Sequence, residues 1–388
     1  MSARVSERST RFTESVIREM TRLCLLYQGD RGINLAQGFP DFPAPAVVKD
    51  AACAAIQGDV NQYAITWGAK AFRDAIAAKT RRFYGIELDP EREITVCCGA
   101  TETMLASLLA VVNPGDEVVI LAPYYENYWP DSVLAGATPR FVSLHPPDGR
   151  IDPDELRAAF GPLTKVIVVN TPNNPSGKVF SRAEMGLIAS LCQEHDCIAI
   201  TDEIYEHLVY DGEHVFVLGM PGMRDRTIAI SGLSKSYSVT GWRVGYAMAA
   251  PALTDAIRKV HDFVTVGAPA PLQAAGVVAL GLPQRYYAEF LQHYRERRDF
   301  LVANLKRLGF GCVAPAGAYY VMCDVTSFGF DDGRTFADYL VKEIGVAVVP
   351  GSSFYPSPNL GRQQVRFSFC KKMETLERAV ELLEGIRS

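Results

Sequence analysis

The chain has 388 residues, room for two or three domains or for one large α/β domain with an appendage. Hydrophobic residues make up 48% and charged residues 21%, and the net charge is -5 at a pI of about 5.8. That balance suits a globular enzyme and argues against nucleic acid as a partner. Segment 1–10 is polar and lacks the apolar core of a secretory signal, and no stretch approaches the roughly 18 apolar residues of a membrane span. Nine cysteines, an odd number without any C-x-x-C pair, argue against a disulfide framework and a structural zinc site. No metal and no membrane is expected, and reduced thiols point to the cytoplasm.

Taken in chain order, the pattern predicts a strand at 94–98. A helix follows, with Met104, Leu105, Leu108, Leu109 and Val112 on one face and Asn113-Pro114-Gly115 as its stop. Further strands are expected at 117–121, 166–169, 198–200 and 227–230. Ser181 and Glu184 form a capping box that opens a helix towards His195. This β-α-β rhythm predicts a largely parallel sheet covered on both faces. After about residue 285 the pattern changes. A long helix at 286–307 leads into short strands at 319–323, 346–349 and 365–369, and a helix at 375–386 closes the chain. The expected organisation is an N-terminal arm and part of a small domain at 1–45, a large domain at 46–285 and a small α+β domain at 286–388.

The most informative run is 231–246, SGLSKSYSVTGWRVGY, which follows a strand. One lysine, Lys235, sits among small hydroxyl residues, with Arg243 eight positions on. A lysine that must offer a neutral amine needs a partly dry pocket, and a nearby phosphate needs hydroxyl donors and a fixed cation, as Ser234 and Arg243 could supply. Other candidates sit at strand ends. Gly99-Ala100-Thr101 opens a helix, where backbone N–H groups and the helix dipole suit a phosphate. Asp202, in Asp202-Glu203-Ile204-Tyr205, offers a carboxylate at a strand end that could pair with a cationic group. Asn174 lies in the turn-rich run NTPNNPSG at 170–177, and Tyr125 follows Pro123-Tyr124.

Together these residues resemble the class I/II aminotransferases of the fold-type I pyridoxal-phosphate enzymes, in the right order over nearly the whole chain. Within that family the chain is most similar to the kynurenine, glutamine–phenylpyruvate and methionine aminotransferase group. The resemblance implies pyridoxal 5'-phosphate as cofactor and Lys235 as its Schiff-base lysine. Gly99, Ala100, Thr101, Ser234 and Arg243 would hold the phosphate, Tyr125 would stack on the ring, Asn174 and Tyr205 would bond its phenolic oxygen, and Asp202 would pair with its nitrogen. Tyr63, in QYAITWG, resembles a tyrosine that reaches the phosphate of a neighbouring subunit, which implies a homodimer with shared sites. Arg366, in VRFSFC, resembles the arginine that clamps the substrate α-carboxylate, and Gly38, in NLAQGFPDF, a glycine that lets that carboxylate approach. One position departs from the pattern: Gly232 stands where many relatives carry a phosphate-directed serine, with Ser231 or Ser234 as substitutes.

The implied reaction moves an amino group from an L-amino acid to a 2-oxo acid such as 2-oxoglutarate or pyruvate. A neutral, aromatic or sulfur-containing donor is expected, because Thr101 replaces a lysine found in some aspartate-specific relatives. The run 264–271, VTVGAPAP, carries no charge, and Gly267, Ala268 and Trp67 would line an apolar pocket. Aspartate aminotransferase and a C–S β-lyase are the alternatives. A cofactor-binding sensor without turnover fits less well, because no DNA-binding segment precedes the fold.

Overall fold

A computed structural model describes residues 5–386; the first four residues of the 1–45 arm and the last two of the 286–388 segment lie outside it. An eight-stranded sheet forms the centre. Its spatial order is Ile94–Cys97, Gly245–Ala249, Thr227–Gly232, Ile198–Asp202, Thr164–Asn170, Glu117–Ala122, Thr138–His145 and Arg150–Ile151. From Thr227–Gly232 to Thr138–His145 the neighbours run parallel, while Gly245–Ala249 and Arg150–Ile151 are antiparallel to theirs. The five predicted strands are all present, and the interior ones are buried throughout except at Lys165, as apolar runs covered on both faces should be. The helix after the first of them spans Ala100–Val111, and the capping box of Ser181 and Glu184 opens Arg182–Glu194 with both reciprocal bonds made.

Parallel pairing sets the active end. Asn170 pairs with Asp202, and Asp202 with Ile230, so these chain segments leave the sheet side by side at its carboxyl edge. Crevices beyond the carboxyl ends of open parallel sheets are where ligands bind.

A second core joins the two ends of the chain. Ile17, Met20 and Leu35 pack with Tyr294, Leu301, Val321, Phe336, Phe367 and Leu383. The elements here are the N-terminal helix Val16–Gln28, the long helix Gln284–Arg307, the closing helix Met373–Leu383 and a four-stranded antiparallel sheet. The strand expected at 346–349 is two: Val346–Ala347 pairs in parallel with Ile33–Asn34, and Val349–Pro350 pairs with Gln364–Ser368. A period-two apolar pattern does not say where a strand changes partner. Among the described residues no helix is long and apolar enough to cross a membrane, and all nine cysteines are free.

Candidate active site

A cavity of about 570 Å³ opens at the carboxyl edge of the sheet. Gly38, Ala100, Thr101, Tyr125, Asn174, Asp202, Tyr205, Ser234, Lys235 and Arg243 all line it. These residues lie up to 205 positions apart and come from strand ends, turns and the N-terminal segment.

Lys235 is partly buried, and its Nζ donates to the Gly38 carbonyl oxygen at 3.1 Å. Burial, with help from the Arg243 charge, lowers its ammonium from the ordinary 10.5 to about 8. Asp202 ends its strand, buried against the floor of the cavity. Its Oδ2 accepts from Tyr128 Oη at 2.8 Å and its Oδ1 from the Ile204 N–H at 3.2 Å. Burial outweighs those bonds and raises its carboxyl from 3.8 to about 6. Among the described residues Asp202 makes no ion pair, so a cation bound in the cavity would offset a buried acid in that state.

The phosphate-type turn has the expected form. Gly99 precedes the helix Ala100–Val111 at φ +85°, and a Cβ there would stand 2.7 Å from Arg243 Cζ. Only glycine leaves room for the guanidinium beside the helix N-terminus. Arg243 is itself left-handed at φ +54° and is tied by Nη1 to the Thr240 carbonyl at 2.9 Å. Below the turn, Glu102 accepts the Cys98 N–H at 2.8 Å and bonds His261 Nδ1 at 3.0 Å. Cys97, Glu102 and His261 offer ligand atoms within 4.8 Å of one another, a cluster that the sequence reading did not single out.

The two candidate serines separate cleanly. Ser231 Oγ donates to Glu206 Oε1 at 2.6 Å, in a buried cluster with Lys79 and Tyr84, away from the cavity. Ser234 faces the cavity. At Gly232 a Cβ would meet the Val244 carbonyl at 2.8 Å, because Gly232 pairs with Gly245 on the next strand. Serine at that position is sterically blocked. The two tyrosines also divide: Tyr125 lines the cavity, edge-on to Tyr128, whereas Tyr124 stacks on Phe141.

Arg366 is fully buried, the opposite of a surface strand arginine. Its Nη1 donates to Asn174 Oδ1 at 2.7 Å and its Nη2 to the Ala36 carbonyl at 2.6 Å, while its Nε has no partner. Tyr320 stacks on the guanidinium at 4.1 Å, and Tyr320 Oη lies 3.1 Å from Tyr205 Oη. Arg366 thus sits behind two cavity-lining residues. Gly38 is held against the same group, since a Cβ would lie 2.8 Å from Tyr320 Cζ.

Three expected neighbours do not line this chain's cavity. Trp67 is covered by Arg258 at 4.9 Å, and Gly267 and Ala268 also lie outside it. Tyr63 is 85% exposed and does not line this cavity. Tyr128, Asn170, Tyr320 and Arg18 line the cavity without having been anticipated. Tyr128 carried a signal, an aromatic three residues after Tyr125 at the start of the helix Tyr128–Leu134; Arg18, more than 200 residues from Lys235, carried none.

The donor set fits pyridoxal phosphate. A glycine cradle beside an arginine, a lysine of lowered pKa, an enclosed carboxylate without a cation and a buried arginine with an unpaired Nε match its phosphate, aldehyde, ring nitrogen and substrate carboxylate. Residues 30–383 match the family model for "Aminotransferase class I and II". The chain is 36% identical to the methionine aminotransferase of Escherichia coli K12, over 94% of this chain and 95% of that protein. It is 35% identical to human kynurenine–oxoglutarate transaminase 1, over 90% and 91%. The solved structure of N-succinyldiaminopimelate aminotransferase from Mycobacterium tuberculosis superposes with a TM-score of 0.96 at 37% identity, covering 99% of this chain and 100% of that one. The chain belongs to the class I and II aminotransferases, with their fold-type I α/β architecture, and is a pyridoxal-phosphate-dependent amino-acid aminotransferase.

Proposed function

We propose that the chain moves the amino group of a neutral L-amino acid, aromatic or sulfur-containing, to a 2-oxo acid such as 2-oxoglutarate or pyruvate. The observation that carries this reading is the convergence of Lys235, Asp202 and the Arg366–Asn174 pair on one cavity whose walls include Ile17, Phe39, Tyr125 and Tyr320. The named relatives acting on methionine and kynurenine support the donor class.

When bound, pyridoxal phosphate supplies an electron sink for the pair left on the α carbon. Lys235 would hold the cofactor and, once freed by the donor, would act as general base: its Nζ, neutral above about pH 8, would take the α proton and hand it to the cofactor carbon. Asp202 keeps the ring nitrogen protonated. Arg366 binds the α-carboxylate in a fork, with Asn174 and Gly38 beside it. Gly99, Ala100, Thr101, Ser234 and Arg243 hold the phosphate, and Tyr205 and Asn174 the phenolic oxygen. Tyr125 stacks on the ring.

The active form is a homodimer in which Tyr63 reaches the partner's phosphate. In support, Tyr63 is joined by exposed Ile65, Val264 and Phe263, the last 93% exposed. A 3.1 Å bond from Thr66 Oγ1 to Asp262 Oδ1 ties the 63–66 segment to the end of the helix Pro251–Thr265. An exposed apolar patch of this kind supports an interface here. The unpaired cysteines support the cytoplasm as its place, and the shared core of 17–36 with 290–383 supports the division at 45/46 and 285/286. The test is kcat/KM for phenylalanine, methionine, glutamine, kynurenine and aspartate against 2-oxoglutarate. A neutral donor leads; aspartate ahead by about tenfold would replace the neutral reading with an aspartate one.

A further inference from the structure

The cavity contains one cation more than the two anions already assigned require. Arg243 serves the phosphate and Arg366 the α-carboxylate. Arg18 also lines the cavity, from the third residue of the helix Val16–Gln28. A helix start is an unfavourable place for a cation, since the dipole there is positive. The other charges along this helix are compensated: Glu19 pairs with Arg334 at 2.6 Å and Arg22 with Glu14 at 2.8 Å. Among the described residues the Arg18 guanidinium has no hydrogen bond and no ion pair. Of the acids in the lining, Glu126 accepts from Ser15 Oγ rather than pairing with Arg18. Arg18 is near enough to the ring that faces the cavity for its charge to pull on the Tyr125 hydroxyl, against the larger effect of burial.

We propose that Arg18 is a specificity residue that binds the distal carboxylate of the dicarboxylic partner, a 2-oxo diacid of the 2-oxoglutarate type and its amino counterpart. This rests on the reading that places the α-carboxylate on Arg366. A guanidinium at the open side of the cavity offers a fork for a second carboxylate. Arg18 is solvent-exposed, so a neutral donor leaves it hydrated and strands no buried charge. One site can therefore take an apolar donor along Ile17, Phe39 and Tyr125 and a diacid acceptor through Arg18.

The test compares 2-oxoglutarate with 2-oxobutyrate as acceptors, with methionine as donor, in the parent holoenzyme, Arg18→Gln and Arg18→Lys. Arg18→Gln should raise KM for 2-oxoglutarate about tenfold while KM for 2-oxobutyrate stays within about twofold, and Arg18→Lys should recover part of the loss. Equal changes for both acceptors, or none for either, would overturn the assignment. Calorimetry with glutarate and butyrate reads the same contact without turnover. The parent should bind glutarate about tenfold more tightly than butyrate, and Arg18→Gln should erase the difference. Equal binding of the two by the parent overturns the role of Arg18 even if transamination is seen. Charge-selective binding without any transamination upholds Arg18 and instead defeats the proposed reaction.

Discussion

Asp202→Asn separates what the protein gains in stability from what the enzyme needs. Burial raises the Asp202 carboxyl from 3.8 to about 6, so the cofactor-free protein at pH 7 carries an enclosed anion that the unfolded chain would hydrate. About two pK units at about 1.4 kcal/mol each put the cost near 3 kcal/mol. For an acid raised in the folded state, that cost is full above about pH 6 and vanishes below the unfolded value of 3.8. Asparagine keeps the shape. Its Oδ1 can accept from the Ile204 N–H, and its amide can donate to Tyr128 Oη, which then turns its own proton away. Apo Asp202→Asn should therefore be more stable than the parent by about 2 to 3 kcal/mol in urea at pH 7.5, with the gain shrinking towards pH 4. Turnover should fall by about two orders of magnitude or more, because the ring nitrogen loses the partner that keeps it protonated. An unchanged or lower apo stability at pH 7.5, or near-parental turnover, would refute the account of Asp202.

Other expectations follow from the same geometry. Lys235, lowered to about 8, should make cofactor capture by the apo-protein speed up about tenfold per pH unit until about pH 8 and then level, as followed by absorbance; a rate that kept climbing past pH 8 towards 10.5 would contradict a buried amine. For stability the sign is the same: a lysine lowered from 10.5 opposes folding below about 8, and that opposition fades as pH climbs between the two values. Mixing inactive Lys235→Ala with impaired Tyr63→Phe should regain activity through hybrid dimers that carry one intact site. A fully active monomer in sedimentation would refute the shared site.

The sheet was legible because buried parallel strands are short apolar runs closed by helices, as at Val118–Ile120 within Glu117–Ala122. The strand Thr138–His145, whose early residues alternate between partial burial and exposure, gave no such run. Gly245–Ala249 was masked because it starts at the glycine and aromatic that end the lysine run and goes on past it. At the site, residues at strand ends were readable as chemistry: Asp202, Asn174, Lys235. What stayed out of reach was contact across the chain. Nothing local tells that Ser231 turns to Glu206 and Ser234 to the cavity, nor that the closing domain brings Tyr320 onto Arg366. Arg18 reads as one of several charges on an amphipathic helix until its neighbours are seen to be paired and it is not.

The central claim is that Lys235 holds the cofactor, and borohydride reduction of the purified, pyridoxal-phosphate-loaded protein tests it most directly. Reduction fixes an imine irreversibly to its lysine, so peptide mapping identifies the residue whatever the substrate. The label should fall on the single peptide containing Lys235, in a yellow protein whose Lys235→Ala variant takes up no covalent label. Stoichiometric label on any other lysine would contradict the assignment of the whole site.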